Sequence, residues 1–386
     1  MRIKLKDAFE LQIGKTPSRN KSEYWNGVYK WVSISDIGNS RKYVYSTRES
    51  ITDKGIIDSG IKVIPKGTVI MSFKLSIGKT AITTEDMYTN EAIVAFIDKK
   101  KIPIDIDYLY YLCSGSNWMQ GVNKAVMGLT LNKATLSEKE INIPNIEIQK
   151  KCAGNLDKID RIIDLKKQQL DQLDLLVRSL FIEMFGNLGE DIFGDGLKLL
   201  KDVCQINPKK DNYIANIKDF LVSFVPMSAV SESGEIDTTI IKCYDEVKKG
   251  FTSFIEEDVL FAKITPCMEN GKGAIAKKLK NSVGFGSTEF HVLRPLKDKS
   301  NSAWIYYLTS FSHFRKEAEI KMTGSAGQRR VPASFLENYK IALPPLELQN
   351  KFANFVRGTD KSKLAVKKSL EELEILKKSL MQKYFA

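Results

Sequence analysis

Residues 141–151 read INIPNIEIQKK, and residues 341–351 read IALPPLELQNK. The two stretches align without a gap, and the alignment holds to the C-terminus. Leu170 falls on Leu370, Leu173 on Leu373, Leu176 on Leu376, Leu180 on Leu380 and Phe185 on Phe385. The chain is therefore read as a tandem duplication of a unit of about 190–200 residues, each ending in a long leucine-rich helix.

Ile143-Pro144 and Leu343-Pro344-Pro345 mark where each helix starts, because proline extends the residue before it and tolerates a first helical turn after it. In the first helix the apolar positions Leu156, Ile159, Ile163, Leu170, Leu173, Val177, Leu180 and Met184 alternate in steps of three and four, with Lys166 as the polar break. That spacing is a coiled-coil seam. The second helix carries Val356, Val366, Leu370, Leu373, Leu380 and Tyr384, broken by Thr359, Lys363 and Lys377. Val366 stands where the first helix has Lys166, so the two helices are expected to pair with each other. The bland reading is two ordinary amphipathic helices, each on its own domain. The interior is free of proline, with only Gly154 and Gly358 interrupting, which makes these helices long for a globular fold.

Ahead of each helix lie short β-like runs with turns: YKWVSISDIG, GTVIMSF and EAIVAFI in the first half, FLVSFVPMSAV, EDVLFAKI and TEFHVLRP in the second. Each half then has a helical patch, DYLYYLC and AWIYYLTSF, and a loop before the proline motif. Tyr110-Tyr111-Leu112 is set against Tyr306-Tyr307-Leu308, Gly78-Lys79 against Gly271-Lys272, and Asn90-Glu91 against Thr288-Glu289. The expected fold is α+β: two tandem mixed domains, 1–145 and 191–345, each followed by a long helix, 146–190 and 346–386, the helices pairing with each other.

The 386 residues can form two cores. Lys and Arg number 59 against 47 Asp and Glu, a net +12 that favours a polyanionic partner, nucleic acid first. Residues 146–190 carry seven basic and eight acidic side chains, so the first helix is no basic arm. The five cysteines are scattered without CxxC spacing, the N-terminus is no signal peptide and no apolar run approaches a membrane span. A soluble, reducing, cytoplasmic setting is expected, with no membrane partner.

Catalytic readings fail for want of residues. Gly14-Lys15-Thr16 and Gly78-Lys79-Thr80 resemble the end of a phosphate-binding loop, but Phe9 and Phe73 stand where its first glycine belongs. There is no GxGxxG, no HExxH and no Asn-Pro-Pro-aromatic element, and the two histidines, His291 and His313, leave little for zinc or His-based catalysis. No cofactor or metal is called for. Loop residues suit DNA better. Lys74, Lys79, Lys124 and Lys133 in the first half, with Lys263, Lys272, Arg329 and Arg330 in the second, can neutralise phosphates, and arginine can grip guanine. Asn90, Asn132, Asn270 and Gln328 offer paired donors and acceptors for base edges, with Thr288 and Ser325 beside them. Taken singly, each of these also reads as a solvated surface residue.

At this point the chain resembles the specificity subunits of type I restriction-modification systems over essentially its whole length. GTVIMSFKLSIGKTAI and STEFHVLRP carry the resemblance in the globular halves, and IPNIEIQKK and LPPLELQNK at the helix starts. The resemblance implies two target recognition domains, each reading half of a bipartite double-stranded DNA sequence. It implies antiparallel helices that set the gap and dock two modification (methyltransferase) subunits, with restriction (ATP-dependent translocase and nuclease) subunits joining through the complex. The chain itself would be non-catalytic. A 40-residue helix is about 60 Å long, enough to hold two readers roughly one DNA turn apart. The alternatives are a DNA-bridging or coiled-coil protein without sequence preference, against which the divergence of the halves argues, and an unrecognised nuclease, against which the scarcity of histidine argues.

Overall fold

The strand Glu140–Asn142, just before the first proline motif, pairs antiparallel with the N-terminal strand Arg2–Lys4. Lys340–Ala342 pairs with Leu197–Leu199 in the same way. Each repeat thus closes on its own beginning before its long helix departs. The computed structural model describes residues 1–74, 76–118, 131–186, 189–209, 219–325 and 327–385.

Between these closures each repeat builds a corresponding sheet, with one strand more in the first. In the first, Phe9–Ile13, Ile93–Asp98, Val69–Ser72, Thr80–Thr83 and Tyr43–Val44 lie side by side in that order. In the second the order is Cys204–Ile206, Phe290–Pro295, Val259–Ala262, Gly273–Ile275. The central strands are continuous apolar runs because both faces are covered: Val69–Ser72 and Val259–Ala262 are buried at every position. A smaller sheet accompanies each, with a parallel pair at its heart: Trp25–Val32 with Tyr88–Thr89, and Leu221–Val225 with Val283–Gly286. The Tyr-Tyr-Leu patches are the helices Ile106–Gly115 and Ser302–Ser310, capped by Asp105 and Asn301. One expected β run is split. YKWV ends a strand, but Ile34–Asn39 is a helix, because Ser33 and Asp36 form a capping box.

The long helices run Ile146–Phe185 and Leu346–Phe385. The chain divides into two compact units, residues 1–167 with 368–386, and residues 168–367. Each unit therefore holds one globular part, the opening half of the helix that follows it, and the closing half of the other repeat's helix. In the first unit Asn155 donates to the Tyr384 hydroxyl at 3.3 Å and Asp160 pairs with Lys377. In the second, Phe181 and Phe185 stack edge-on against Phe352, and Asp174 pairs with Lys363. As numbers rise along one helix they fall along the other, so the pairing is antiparallel in both units. The polar breaks Lys363 and Lys377 are thus occupied by ion pairs across the helices, and Thr359 donates its hydroxyl to the Phe355 carbonyl within its own helix.

The seam positions Leu156, Ile159, Ile163, Val177 and Val366 are buried, and Leu170, Leu173, Leu180, Leu370, Leu373 and Leu380 are half-buried. Leu176 and Leu376, equally faithful to the repeat, face outward.

The glutamine of each proline motif explains why the motif recurs. Gln149 is fully buried and donates to the carbonyls of Pro103 and Pro144, while its oxygen accepts from the Asp105 amide. Gln349 is equally buried and does the same with Lys299, Pro344 and Asn301. One side chain thus ties the helix start to the cap of the Tyr-Tyr-Leu helix, with its donors and acceptor used.

Candidate nucleic-acid interface

Among the described residues, Lys74, Lys79 and Asn90 in the first unit, and Lys263, Asn270, Lys272 and Thr288 in the second, lie at one end of the main sheet, where the strand pairs Val69–Ser72/Thr80–Thr83 and Val259–Ala262/Gly273–Ile275 turn over. In the first unit the described residues of the turn are 73–74 and 76–79. The buried Ser72 hydroxyl donates to the Ser76 carbonyl (2.6 Å) and accepts from the Lys79 amide (3.1 Å), and the Gly78 amide donates back to the Ser72 carbonyl (3.0 Å). Gly78 closes it with φ +90°, a conformation that favours glycine. Lys74 and Lys79 stand exposed on this turn.

Asn90 lies at the neighbouring strand start. Its amide donates to the Val32 carbonyl, and its side-chain oxygen accepts from the Ala92 amide at 3.1 Å, so that oxygen shapes the chain. Next to it the Glu91 carboxyl is held below the usual range, first by the Thr16 hydroxyl and then, against the cost of burial, by its own backbone, Lys74 and Arg19. Asn132 and Lys133 open the helix Lys133–Ser137. The Asn132 oxygen caps it by accepting from the Thr135 amide at 2.9 Å, and Lys133 is exposed. Lys124 lies outside the described residues.

In the second unit a small ladder binds two loops together. The Val331 amide donates to the Lys263 carbonyl (2.9 Å), the Thr265 amide to Arg329 (3.0 Å), and Thr323 and Arg330 exchange bonds of 3.0 and 2.8 Å. Lys263 also donates its amide to the Glu289 carbonyl, which attaches this ladder to the sheet. Gly271 closes the 263–272 turn with φ +86°. Asn270, Thr288, Ser325 and Gln328 are exposed around it, and the Lys272 amine reaches the Met227 carbonyl at 3.4 Å. All eight second-half candidates lie on or beside this ladder and its turn.

The electrostatics sort these cations. Arg330 is gripped by Glu289 through Nε (2.9 Å) and Nη2 (2.8 Å), which lowers the Glu289 carboxyl and raises the guanidinium. Burial depresses the Lys263 amine, Arg330 depresses it further, and Glu289 opposes. Arg329 has looser company, 3.7 Å from Glu269 and 3.9 Å from Glu319. It is the arginine here best placed to exchange its partners for a phosphate or a guanine edge. His291 beneath is 4% exposed, donates from Nε2 to the Val331 carbonyl (2.8 Å), and accepts at Nδ1 from Asn207 (2.9 Å). Burial lowers its pKa, so the ring is a neutral strut. Among the described residues no group of three His, Cys, Asp or Glu could hold a metal, and no helix is long and apolar enough to cross a membrane.

The strand registers correct one pairing made from the sequence. Ser72 lies opposite Ile93 and Ala262 opposite Phe290, so Asn90 corresponds to Ser287 and Glu91 to Thr288. Ser287 repeats the bonds of Asn90, taking the Val225 carbonyl with its amide and accepting from Glu289 with its hydroxyl (3.2 Å). Gly78-Lys79 and Gly271-Lys272 do correspond. Two residues beneath the turns, Trp118 and Arg315, went unnoticed, because no periodicity or motif marks them.

Known proteins share this fold. The model of the type I restriction modification DNA specificity domain matches residues 1–175 and 197–375. The EcoEI and EcoAI type I restriction enzyme specificity subunits of Escherichia coli are 45% and 43% identical over 148 and 156 residues. These stretches cover 38% and 39% of this chain but only 24% and 26% of those proteins. The MjaIX specificity subunit of Methanocaldococcus jannaschii is 25% identical over 98% of this chain and 91% of its own length. A solved chain described under complex assembly and conformational transition of the type I R-M system shares the fold at TM-score 0.63 and 17% identity, over 100% of this chain and 97% of that one. The S subunit of a type I system from M. genitalium does so at 0.52 and 14%, over 100% and 96%. With both repeats matched by the family model, this chain belongs to the type I restriction-modification DNA specificity family.

Proposed function

We propose that this chain is the sequence-reading subunit of a type I restriction-modification assembly, in which residues 1–145 and 191–345 each read one half of a bipartite double-stranded DNA target. The observation that carries this is the pairing of a repeated frame with unlike tips. The buried glutamines, sheets and capped helices recur, while the polar groups at the sheet end differ between repeats. A protein that bridged DNA without sequence preference would gain nothing from that divergence. Lys74, Lys79, Lys124, Lys133, Lys263, Lys272 and Arg329 serve phosphates and guanine, and Asn270, Thr288, Ser325 and Gln328 serve base edges. Asn90 and Asn132, whose side-chain oxygens accept from the backbone, and Arg330, held by Glu289, shape the surface around them.

The helices, 146–190 and 346–386, set the gap between half-sites and dock methyltransferase subunits, two per chain as the two repeats suggest. Exposed Leu165, Leu175, Leu176, Leu364, Ile375 and Leu376 give them outward apolar surface. The chain carries no catalysis itself. Adenine methylation and ATP-dependent translocation and cleavage belong to the modification and restriction subunits, in the cytoplasm. Inserting one heptad into each helix, so that the seam stays paired, lengthens the gap without changing half-site letters.

Single-molecule methylome sequencing of cells carrying this chain, with and without its modification subunit, tests the reading. A new bipartite adenine-methylated motif with a fixed gap supports it. No new methylation from a soluble complex refutes it.

A further inference from the structure

Arg315 is 6% exposed, and no carboxylate pairs with it among the described residues. Its guanidinium instead spends itself on backbone carbonyls. Nε donates to Thr309 (2.6 Å), Nη1 to Met268 (2.8 Å) and Lys272 (3.3 Å), and Nη2 to Gly271 (3.4 Å) and Lys272 (3.3 Å). Its flat face lies 4.4 Å from the centre of the Phe261 ring. An unpaired buried cation is costly, and burial pushes its pKa down to about 10. The fold does not require that cost, as the first repeat shows. There Trp118 takes the same place. Its Nε1 donates at 2.7 Å to the carbonyl of Cys113, the counterpart of Thr309 at the end of the Tyr-Tyr-Leu helix. A Cβ at Gly78 would sit 3.8 Å from the Trp118 ring, so the indole runs under the turn that corresponds to Gly271.

We propose that Arg315 is a positioning residue for sequence readout: it fixes the 268–272 turn from below by three of its carbonyls, so that Asn270 and Lys272 meet the second half-site in one geometry. In the first repeat Trp118 supplies no hydrogen bond to the turn, which is tied instead by the Ser72 hydroxyl to Ser76 and Lys79, bonds that Ala262 at the matching place cannot make. This rests on the recognition role proposed above. Arginine suits the task because its planar fork reaches several carbonyls at once, which a lysine ammonium does not reproduce.

The test uses the full chain in complex with its methyltransferase subunits and DNA duplexes carrying the motif from methylome sequencing. Arg315→Lys is expected to lower discrimination against single-base changes in the second half-site by about ten-fold, and to leave discrimination in the first half-site unchanged. In the free protein it should speed deuterium exchange across residues 263–273 and leave the strand Phe290–Pro295 as in the wild type. Unchanged exchange in that turn, or equal loss at both half-sites, overturns the proposal. Asn270→Ala, at an exposed tip, disturbs no packing and should relax the same base positions, and wild-type readout by that variant also overturns it. Wild-type complex that methylates without sequence preference would defeat the recognition role itself, while the exchange measurement still decides whether Arg315 holds the turn.

Discussion

The two ends of each sheet have had different histories. At the helix end, Gln149 and Gln349 stand 200 residues apart and make the same three hydrogen bonds in the two repeats. At the turn end, Trp118 faces Gly78 while Arg315 faces Gly271, and an Asn90 turn is matched by a Ser287 turn. A buried amide with every donor and acceptor used admits no substitute. A turn needs only something beneath it, so indole and guanidinium both serve. The frame is fixed by satisfied polar groups, and the tips are left free to vary.

The strongest way to break this comparison is to remove the glutamines. Gln149→Leu and Gln349→Leu each strand two carbonyls and an amide in the interior, at a cost of about 3–5 kcal/mol. The two losses should be alike in denaturant unfolding, and a loss confined to one position would deny the shared frame.

Acid should separate the units. Both histidines lie in residues 168–367. Burial holds the His291 pKa below the ordinary 6.5, so the unfolded chain binds the proton more readily. Its contribution is whole above pH 6.5 and declines as pH falls toward the folded pKa, by at most about 1.4 kcal/mol per pH unit. The stability gap between wild type and His291→Gln should narrow between about pH 7.5 and 5.5. A gap independent of pH would contradict the neutral strut.

The cross-helix ion pairs give a smaller contrast. The Lys363 side chain is 16% exposed beside Asp174 and that of Lys377 is 35% exposed beside Asp160. Lys363→Met should cost about 1 kcal/mol and Lys377→Met about half as much by thermal unfolding. The reverse order would mean that exposure does not govern them. Smallest of all is the stability effect of Leu176→Glu or Leu376→Glu on the outward face, within about 0.5 kcal/mol. Co-purification with methyltransferase subunits should nevertheless weaken, and unaltered co-purification would remove these leucines from the docking surface.

The frame was legible in the sequence wherever spacing is rigid. Helical geometry allows no insertion in a paired seam, so the 200-residue offset survived from Gln149 to Phe385. It slips elsewhere: Tyr110 and Tyr306 are 196 apart, Asn90 and Ser287 197, Gly78 and Gly271 193. Loops absorb length changes cheaply, and a one-residue drift was enough to set Asn90 against Thr288 rather than Ser287. The helix Ile34–Asn39 was hidden in an apolar run although its Ser33 and Asp36 capping pair was on view. Arg315 left no trace because its partners are carbonyls, which every residue possesses. Leu176 and Leu376 lie outside the seam read from the spacing and face out, although the repeat keeps them as faithfully as the seam leucines.

Independent reading by two repeats is the central claim, and domain exchange tests it most directly. Residues 1–140 would be replaced by the corresponding part of another family member with a known target, and the methylome sequenced. A motif altered in one half-site, with the other half-site and the gap retained, is the predicted result. A motif altered in both halves would contradict it.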